Sequence, residues 1–284
     1  MAKILACTDG SVYAESIVDH AAWASRQLGG ADVRVLHVLD RAEQPVPADR
    51  SGTLGLDSSE ELLRELTELD AARNRLELKR SRAMLAAAEE RLRAAGVESV
   101  TLTQRHGALV DTVVEFEREA DLLVIGKRGE AADFAVGHLG ANLERVLRAS
   151  PQPVLVASRA FKPIRRYAIA YDGGPAALRM VDFAARSAAV DGLEGHLVTV
   201  APPGGAGSTL LDAPGSILER AGRSVVRTVL HGDVEQAIAA HVAAAGIDLL
   251  VMGAYGHGRL RTMVLGSTTS ALLRACRIPV LVFR

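Results

Sequence analysis

Apolar positions along this chain fall into two kinds of run. Short aliphatic and β-branched stretches lie near 3–8, 33–38, 99–105, 121–126 and 153–157, and again near 166–171, 196–200, 225–230, 247–252 and 279–283. Their length and composition are those of strands. Between them come Ala- and Leu-rich stretches whose apolar residues recur at helical spacing. Strand and helix alternate throughout, the pattern of βαβ units around a parallel sheet. Runs such as Leu249 to Met252 are apolar at consecutive positions, so those strands are expected to be buried on both faces.

The pattern also repeats. Lys3 to Ser11 (KILACTDGS) parallels Arg166 to Gly174 (RYAIAYDGG), and His106-Gly107 parallels His231-Gly232. Ala120 to Gly129 (ADLLVIGKRG) parallels Ile247 to Gly256 (IDLLVMGAYG), and Pro153 to Ala157 (PVLVA) parallels Pro279 to Phe283 (PVLVF). The matches keep the same order in both halves, so two homologous domains are expected, 1–160 and 161–284, joined near Ser158 to Pro163.

The halves differ most between their second and third strands. Residues 41–57 carry Pro and Gly and read as a loop, after which Ser58 and Ser59 with Glu60 and Glu61 give an N-cap and an acidic first turn. A long helix is expected to follow, with Leu62, Leu66, Leu69, Leu76, Ala83, Ala87 and Leu92 at helical spacing until Gly96 stops it. Unbroken, it would span roughly 55 Å at ~1.5 Å per residue, so it must either project beyond a small sheet or break near Asp70 to Asn74. Its charged positions read as a solvated face or as a surface for a partner. The second half has only residues 201–222 here, rich in Gly and Pro, which predict a short mobile helix over its site.

Composition narrows the function. A length of 284 residues fits two domains, and 49% apolar with 4% aromatic content predicts aliphatic packing. A net charge of −1 supplies no basic field for nucleic acid and no polybasic membrane patch. No apolar run approaches the length of a membrane span, and the first residues run straight into a strand pattern without a signal-peptide pattern, so a cytoplasmic location is expected. The two cysteines, Cys7 and Cys276, lie in a strand and a helix with no metal-binding spacing and read as buried reduced thiols.

The candidate chemistry centres on Gly253-x2-Gly256-x9-Gly266-Ser267-Thr268. Glycines let the backbone approach a ligand, and Gly266-Ser267-Thr268 sets free N–H groups and hydroxyls at a helix start, where anions are stabilised. The arrangement reads as a phosphate cradle, although neither a P-loop nor a G-x-G-x-x-G fingerprint occurs. The spacing, set between a buried strand and a helix, resembles the ATP-binding motif of the universal stress protein family, and the resemblance extends over both halves. It implies α/β domains, each an open five-stranded parallel sheet of order 3-2-1-4-5, whose fifth strands pair and make the tandem chain an intramolecular pseudo-dimer. It further implies ATP, with or without Mg²⁺, as the ligand of the second half. Asp172 would meet the nucleoside, Thr199 and Val200 the adenine, and Gly253, Gly256, Gly266, Ser267 and Thr268 the phosphates.

Physical chemistry allows these roles and also plainer ones. A carboxylate past the first strand can accept from ribose hydroxyls or help hold Mg²⁺, yet Asp172-Gly-Gly-Pro175 is equally good turn chemistry. Arg259 and Arg261 would offset triphosphate charge or face solvent, and His257 would act as an acid or base or simply occupy a loop. His37, His106 and His231 stand beside strand ends and read as structural or exposed.

The first half departs from the motif. Gly126 and Gly129 are kept, but ten residues separate Gly129 from Gly140, and Ala141-Asn142 replace the hydroxyl pair. Glu130 and Asp133 oppose a triphosphate there, while Lys127 and Arg128 favour one. The expectation is a protein that binds ATP in its C-terminal half and serves as a nucleotide-responsive regulator or stress-tolerance factor, with at most slow hydrolysis or autophosphorylation. The alternatives are a slow ATPase or phosphotransferase using Ser267, Thr268 or His257, and an interaction protein without nucleotide. A homo-oligomer or a regulated protein partner would use the long helix.

Overall fold

The alternation of strand and helix is realised as one ten-stranded sheet. A computed structural model describes residues 1–39, 56–128, 139–254 and 266–284. The first half runs β1 (Lys3–Cys7), α1 (Ala14–Gln27), β2 (Asp32–Leu39), α2 (Leu56–Ala94), β3 (Val100–His106), α3 (Leu109–Glu117), β4 (Leu122–Gly126), α4 (Ala141–Ala149) and β5 (Val154–Ala157). The second runs β6 (Arg166–Ala170), α5 (Pro175–Arg186), β7 (Glu194–Val200), α6 (Gly207–Arg220), β8 (Val225–Leu230), α7 (Val234–Ala244), β9 (Leu249–Gly253), α8 (Ser267–Ala275) and β10 (Val280–Phe283).

Strand order is β3-β2-β1-β4-β5-β10-β9-β6-β7-β8, which is 3-2-1-4-5 in each half with the fifth strands meeting at the centre. Within each half every pairing is parallel. At the seam β5 and β10 run antiparallel, with Leu281 opposite Leu155 and Val280 opposite Val156. Both are uncharged, four-residue edges of their own half, and pairing them satisfies backbone groups that each half alone would leave open.

Side chains alternate across this sheet, and each face has its own core. Ile4, Ala6, Leu155, Tyr167, Ile169, Leu249, Leu281 and Phe283 point to the face covered by α1, α2, α5 and α6. Leu5, Cys7, Val154, Val156, Ala168, Leu250, Val280 and Val282 point to the face covered by α3, α4, α7 and α8. Each core continues across the seam, so the two halves share their apolar burial. The connector after β5 is fastened to α1, since Ser16 Oγ donates to the Ser158 carbonyl at 2.7 Å and Phe161 packs edge-on against His20. Cys7 and Cys276 are free and buried, and burial pushes both thiols up in pKa.

The helix α2 settles the choice between projection and a break. It is continuous over 39 residues, about 58 Å at ~1.5 Å per residue, with no interruption between Asp70 and Asn74. It begins at Leu56, so Ser58 lies inside its first turn and is not its cap; residues 40–55, which hold most of the expected loop, fall outside the described residues. The apolar positions do not form one face. Leu92 is fully buried, along with Leu85, Ala88 and Ser81, whereas Leu66, Leu69 and Leu76 are 45%, 66% and 67% exposed. Among the described residues no helix is long and apolar enough to cross a membrane.

Candidate functional site

In each half the strand order reverses beside the first strand, at β1/β4 and at β6/β9, and beyond the carboxyl ends of the strands at such a reversal is where open α/β sheets take their ligands. In the second half this place is a cavity of about 440 Å³. Asp172 reaches it from the end of β6, Thr199 and Val200 from β7, Gly253 from β9, Thr268 from the start of α8 and Leu210 from α6. Val198, Val234, Ile238, Met252 and Leu272 supply an apolar wall, so a few polar groups stand against a mostly hydrocarbon lining. Tyr171 also lines it; burial, with the Asp172 charge adding, raises its phenol pKa and keeps it a neutral hydroxyl.

The local chemistry explains the placements. Asp172 Oδ1 accepts from the Gly174 N–H at 2.8 Å, an Asx turn that leads into α5 with Pro175 in its first turn. Gly173 at φ +80° makes that turn possible. The turn role expected of Asp172 is therefore real, and it leaves the exposed carboxylate at the cavity edge. Gly266 precedes α8 and donates to the Ala254 carbonyl at 3.3 Å, so the first-turn amides of Ser267 and Thr268 have no intrahelical acceptor. Ser267 is exposed and does not line the cavity, whereas Thr268 does. Gly256, His257, Arg259 and Arg261 lie outside the described residues.

Thr269, to which spacing assigned nothing, fixes the geometry. Its buried Oγ1 reaches the carbonyls of Gly253 at 3.0 Å and Ala254 at 3.1 Å, tying the end of β9 to the first turn of α8. A third consecutive hydroxyl after Gly266 is the signal that could have found it. Of the histidines, His37 is buried against Ser81 of α2 at 2.7 Å, His231 bonds the Ala201 carbonyl at 2.6 Å while exposed, and His106 is exposed.

The first half keeps the frame with other residues around it. Asp9 accepts from Ser11 N–H at 3.0 Å as Asp172 does from Gly174, and Gly140 donates to Lys127 as Gly266 does to Ala254. A Cβ on Gly126 would stand 3.0 Å from Tyr13 Cβ and 3.3 Å from Ile17 Cδ1. Tyr13 is buried there, and the corresponding residue of the second half is Ala176. At the place of Thr269 stands buried Leu143. Lys127, where the second half has Ala254, is 8% exposed and crosses the seam: its Nζ donates to the carbonyls of Cys276 and, at 3.3 Å, Ile278, below the carboxyl end of α8. Burial lowers its pKa to about 8. Among the described residues no group of three or more His, Cys, Asp or Glu side chains could hold a metal ion.

Comparison with known proteins agrees with the repeated architecture. The sequence model of the universal stress protein family matches twice, over residues 1–158 and 163–284. A universal stress protein of Synechocystis sp. is 40% identical over 288 residues, covering 100% of each chain. A universal stress protein from Archaeoglobus fulgidus DSM 4304, 21% identical, aligns with 99% of this chain and 96% of its own at a TM-score of 0.73, a likeness of fold. A universal stress protein solved in complex with cAMP aligns with 43% of this chain at 22% identity and a TM-score of 0.38. With two family matches in one chain and a full-length relative at 40% identity, this chain belongs to the universal stress protein family.

Proposed function

We propose that the second half binds an adenine nucleotide, ATP with or without Mg²⁺, and that the protein works in the cytoplasm as a nucleotide-responsive regulator or stress-tolerance factor. The observation that carries this reading is the 440 Å³ cavity at the β6/β9 reversal, which brings Asp172, Thr199, Val200, Gly253 and Thr268 to one apolar-walled site. An adenine ring would take the hydrocarbon wall, Asp172 would accept from ribose hydroxyls, and the first-turn amides of α8 with Thr268 would face phosphate oxygens. Ser267 would join the phosphates from its exposed position, and Gly256 is assigned with them by spacing alone.

Titration calorimetry of the whole chain with ATP is expected to give one site per chain. Gly253→Val should abolish that binding, because the added side chain enters the space a ligand needs. Asp172→Ala should weaken it about tenfold, the equivalent of ~1.4 kcal/mol of lost hydrogen bonding. Two equal sites, or binding unchanged in both variants, would overturn the site. Sustained phosphate release over many turnovers would instead move the protein to the slow-ATPase reading.

A further inference from the structure

The projecting half of α2 is unlike the rest of the surface in two ways. Its leucines form a stripe that the chain's own sheet cannot cover. At ~100° per residue, Leu66, Leu69 and Leu76 point roughly 115° away from Ser81, Leu85, Ala88 and Leu92, the residues that dock α2 on the sheet. From Arg64 through Leu76 only Ala71 is less than exposed. Isolated helical turns gain most of their stability from packing of an apolar face, and these gain none from the sheet.

The second feature is charge. Between Asp57 and Asp70 stand Asp57, Glu60, Glu61, Glu65, Glu68 and Asp70 against the single cation Arg64. Between Ala71 and Arg82 stand Arg73, Arg75, Lys79, Arg80 and Arg82 against the single carboxylate Glu77. Helix-dipole preference acts only within the first and last turns, so it does not account for a division placed in the middle of a 39-residue helix. The internal ion pairs Arg64–Glu68 at 3.8 Å and Arg73–Glu77 at 3.0 Å are exposed and worth little individually.

We propose that the acidic and basic halves of this projecting segment pair antiparallel with the same segment of a second copy of this chain, forming a two-helix homodimer contact outside the sheet. A twofold near Ala71 and Ala72 sets Leu66 of one copy against Leu76 of the other, and Leu69 against the aliphatic stem of Arg73. Glu65 then flanks Lys79 of the second copy, and Glu65 and Glu68 of each copy run alongside the Arg- and Lys-rich stretch of the other. The parallel arrangement would set acid on acid and base on base. Ala72, on the flank of the stripe beside the twofold, leaves room for the two helices to approach, and the seam strands β5 and β10 take no part, since they already pair within the chain.

Sedimentation equilibrium of the full chain tests the contact, with circular dichroism to show that each variant is folded. The parent should dimerise, and Leu66→Glu combined with Leu76→Glu, which sets carboxylate against carboxylate at both ends of the contact, should raise the dimer dissociation constant at least ~100-fold, as loss of central apolar anchors does. Orientation is read by disulfide trapping: a mixture of Leu66→Cys and Leu76→Cys chains should cross-link to each other in preference to themselves, with Cys7 and Cys276 out of reach in the core. A parent that stays monomeric at high concentration overturns the proposal, as does a dimer unaffected by the double Glu variant. Preferential self-cross-linking of Leu66→Cys would show a parallel pair and overturn it equally.

Discussion

The two halves of this chain carry the same frame to different ends. Asp9 and Asp172 make the same turn, Gly10 and Gly173 the same left-handed step, and Gly140 and Gly266 the same entry to a helix. What separates them is volume rather than architecture. Tyr13 and Ile17 press on Gly126, where Ala176 and Met180 stand in sequence in the second half, whereas Gly10 and Gly173 are equally close to one side chain each, Met84 and Leu210. A ligand crevice in this fold therefore depends on small residues at a few positions around a frame that is kept for its own stability.

The strongest challenge to this view is aimed at the seam, where the halves are alike. Leu155→Ala and Leu281→Ala face each other across it, both nearly or fully buried, and each should cost about 2–5 kcal/mol in urea unfolding. Costs that differ by more than the scatter of such measurements would show that the seam is less symmetric than its register. A smaller effect separates the sites. Ala176→Tyr should bring the bulk of Tyr13 to the second half and weaken ATP binding roughly ten- to hundredfold with the fold retained, the scale of ~1–3 kcal/mol for overpacking. Binding equal to the parent in calorimetry would mean that volume is not what distinguishes the halves.

The smallest effect belongs to Lys127, which has no counterpart across the seam because Ala254 stands there. Its folded pKa of about 8 lies below the ordinary 10.5 because of burial. Below pH 8 both states hold the proton, and the folded state bears the cost of burying the charge. Between pH 8 and 10.5 the folded chain has released the proton while the unfolded chain keeps it, so this group's contribution to stability rises with pH. Urea midpoints of Lys127→Met should lack that rise relative to the parent across this window.

Much of this could be read from residue order. The strands announce themselves because both faces of the sheet are buried, which leaves short uninterrupted apolar runs, and the repeat shows which strands correspond. Asp172, Thr199, Val200, Gly253 and Thr268, which the resemblance to universal stress proteins picked out at strand ends and a helix start, line one cavity at the strand-order reversal. Other features depend on three-dimensional neighbours. Spacing shows that Lys127 follows a strand, but its acceptors Cys276 and Ile278 become neighbours only once the seam forms. Thr269 reads as one more hydroxyl until its contact with the Gly253 carbonyl is seen. Helical periodicity placed the leucines of α2 on a helix, but two apolar stripes about a third of a turn apart look like one broad face until burial tells them apart.

The antiparallel seam has a consequence for how the protein is made. On the ribosome, β5 is complete long before β10 emerges, and the whole second half must be synthesised in between. Throughout that interval Val154–Ala157 is an unpaired, uncharged edge, the kind of strand that nascent chains on neighbouring ribosomes can join. This chain carries the partner strand of β5 itself, behind the four other strands of its second half. Slowing translation of the second half should therefore lower soluble yield more than slowing the first.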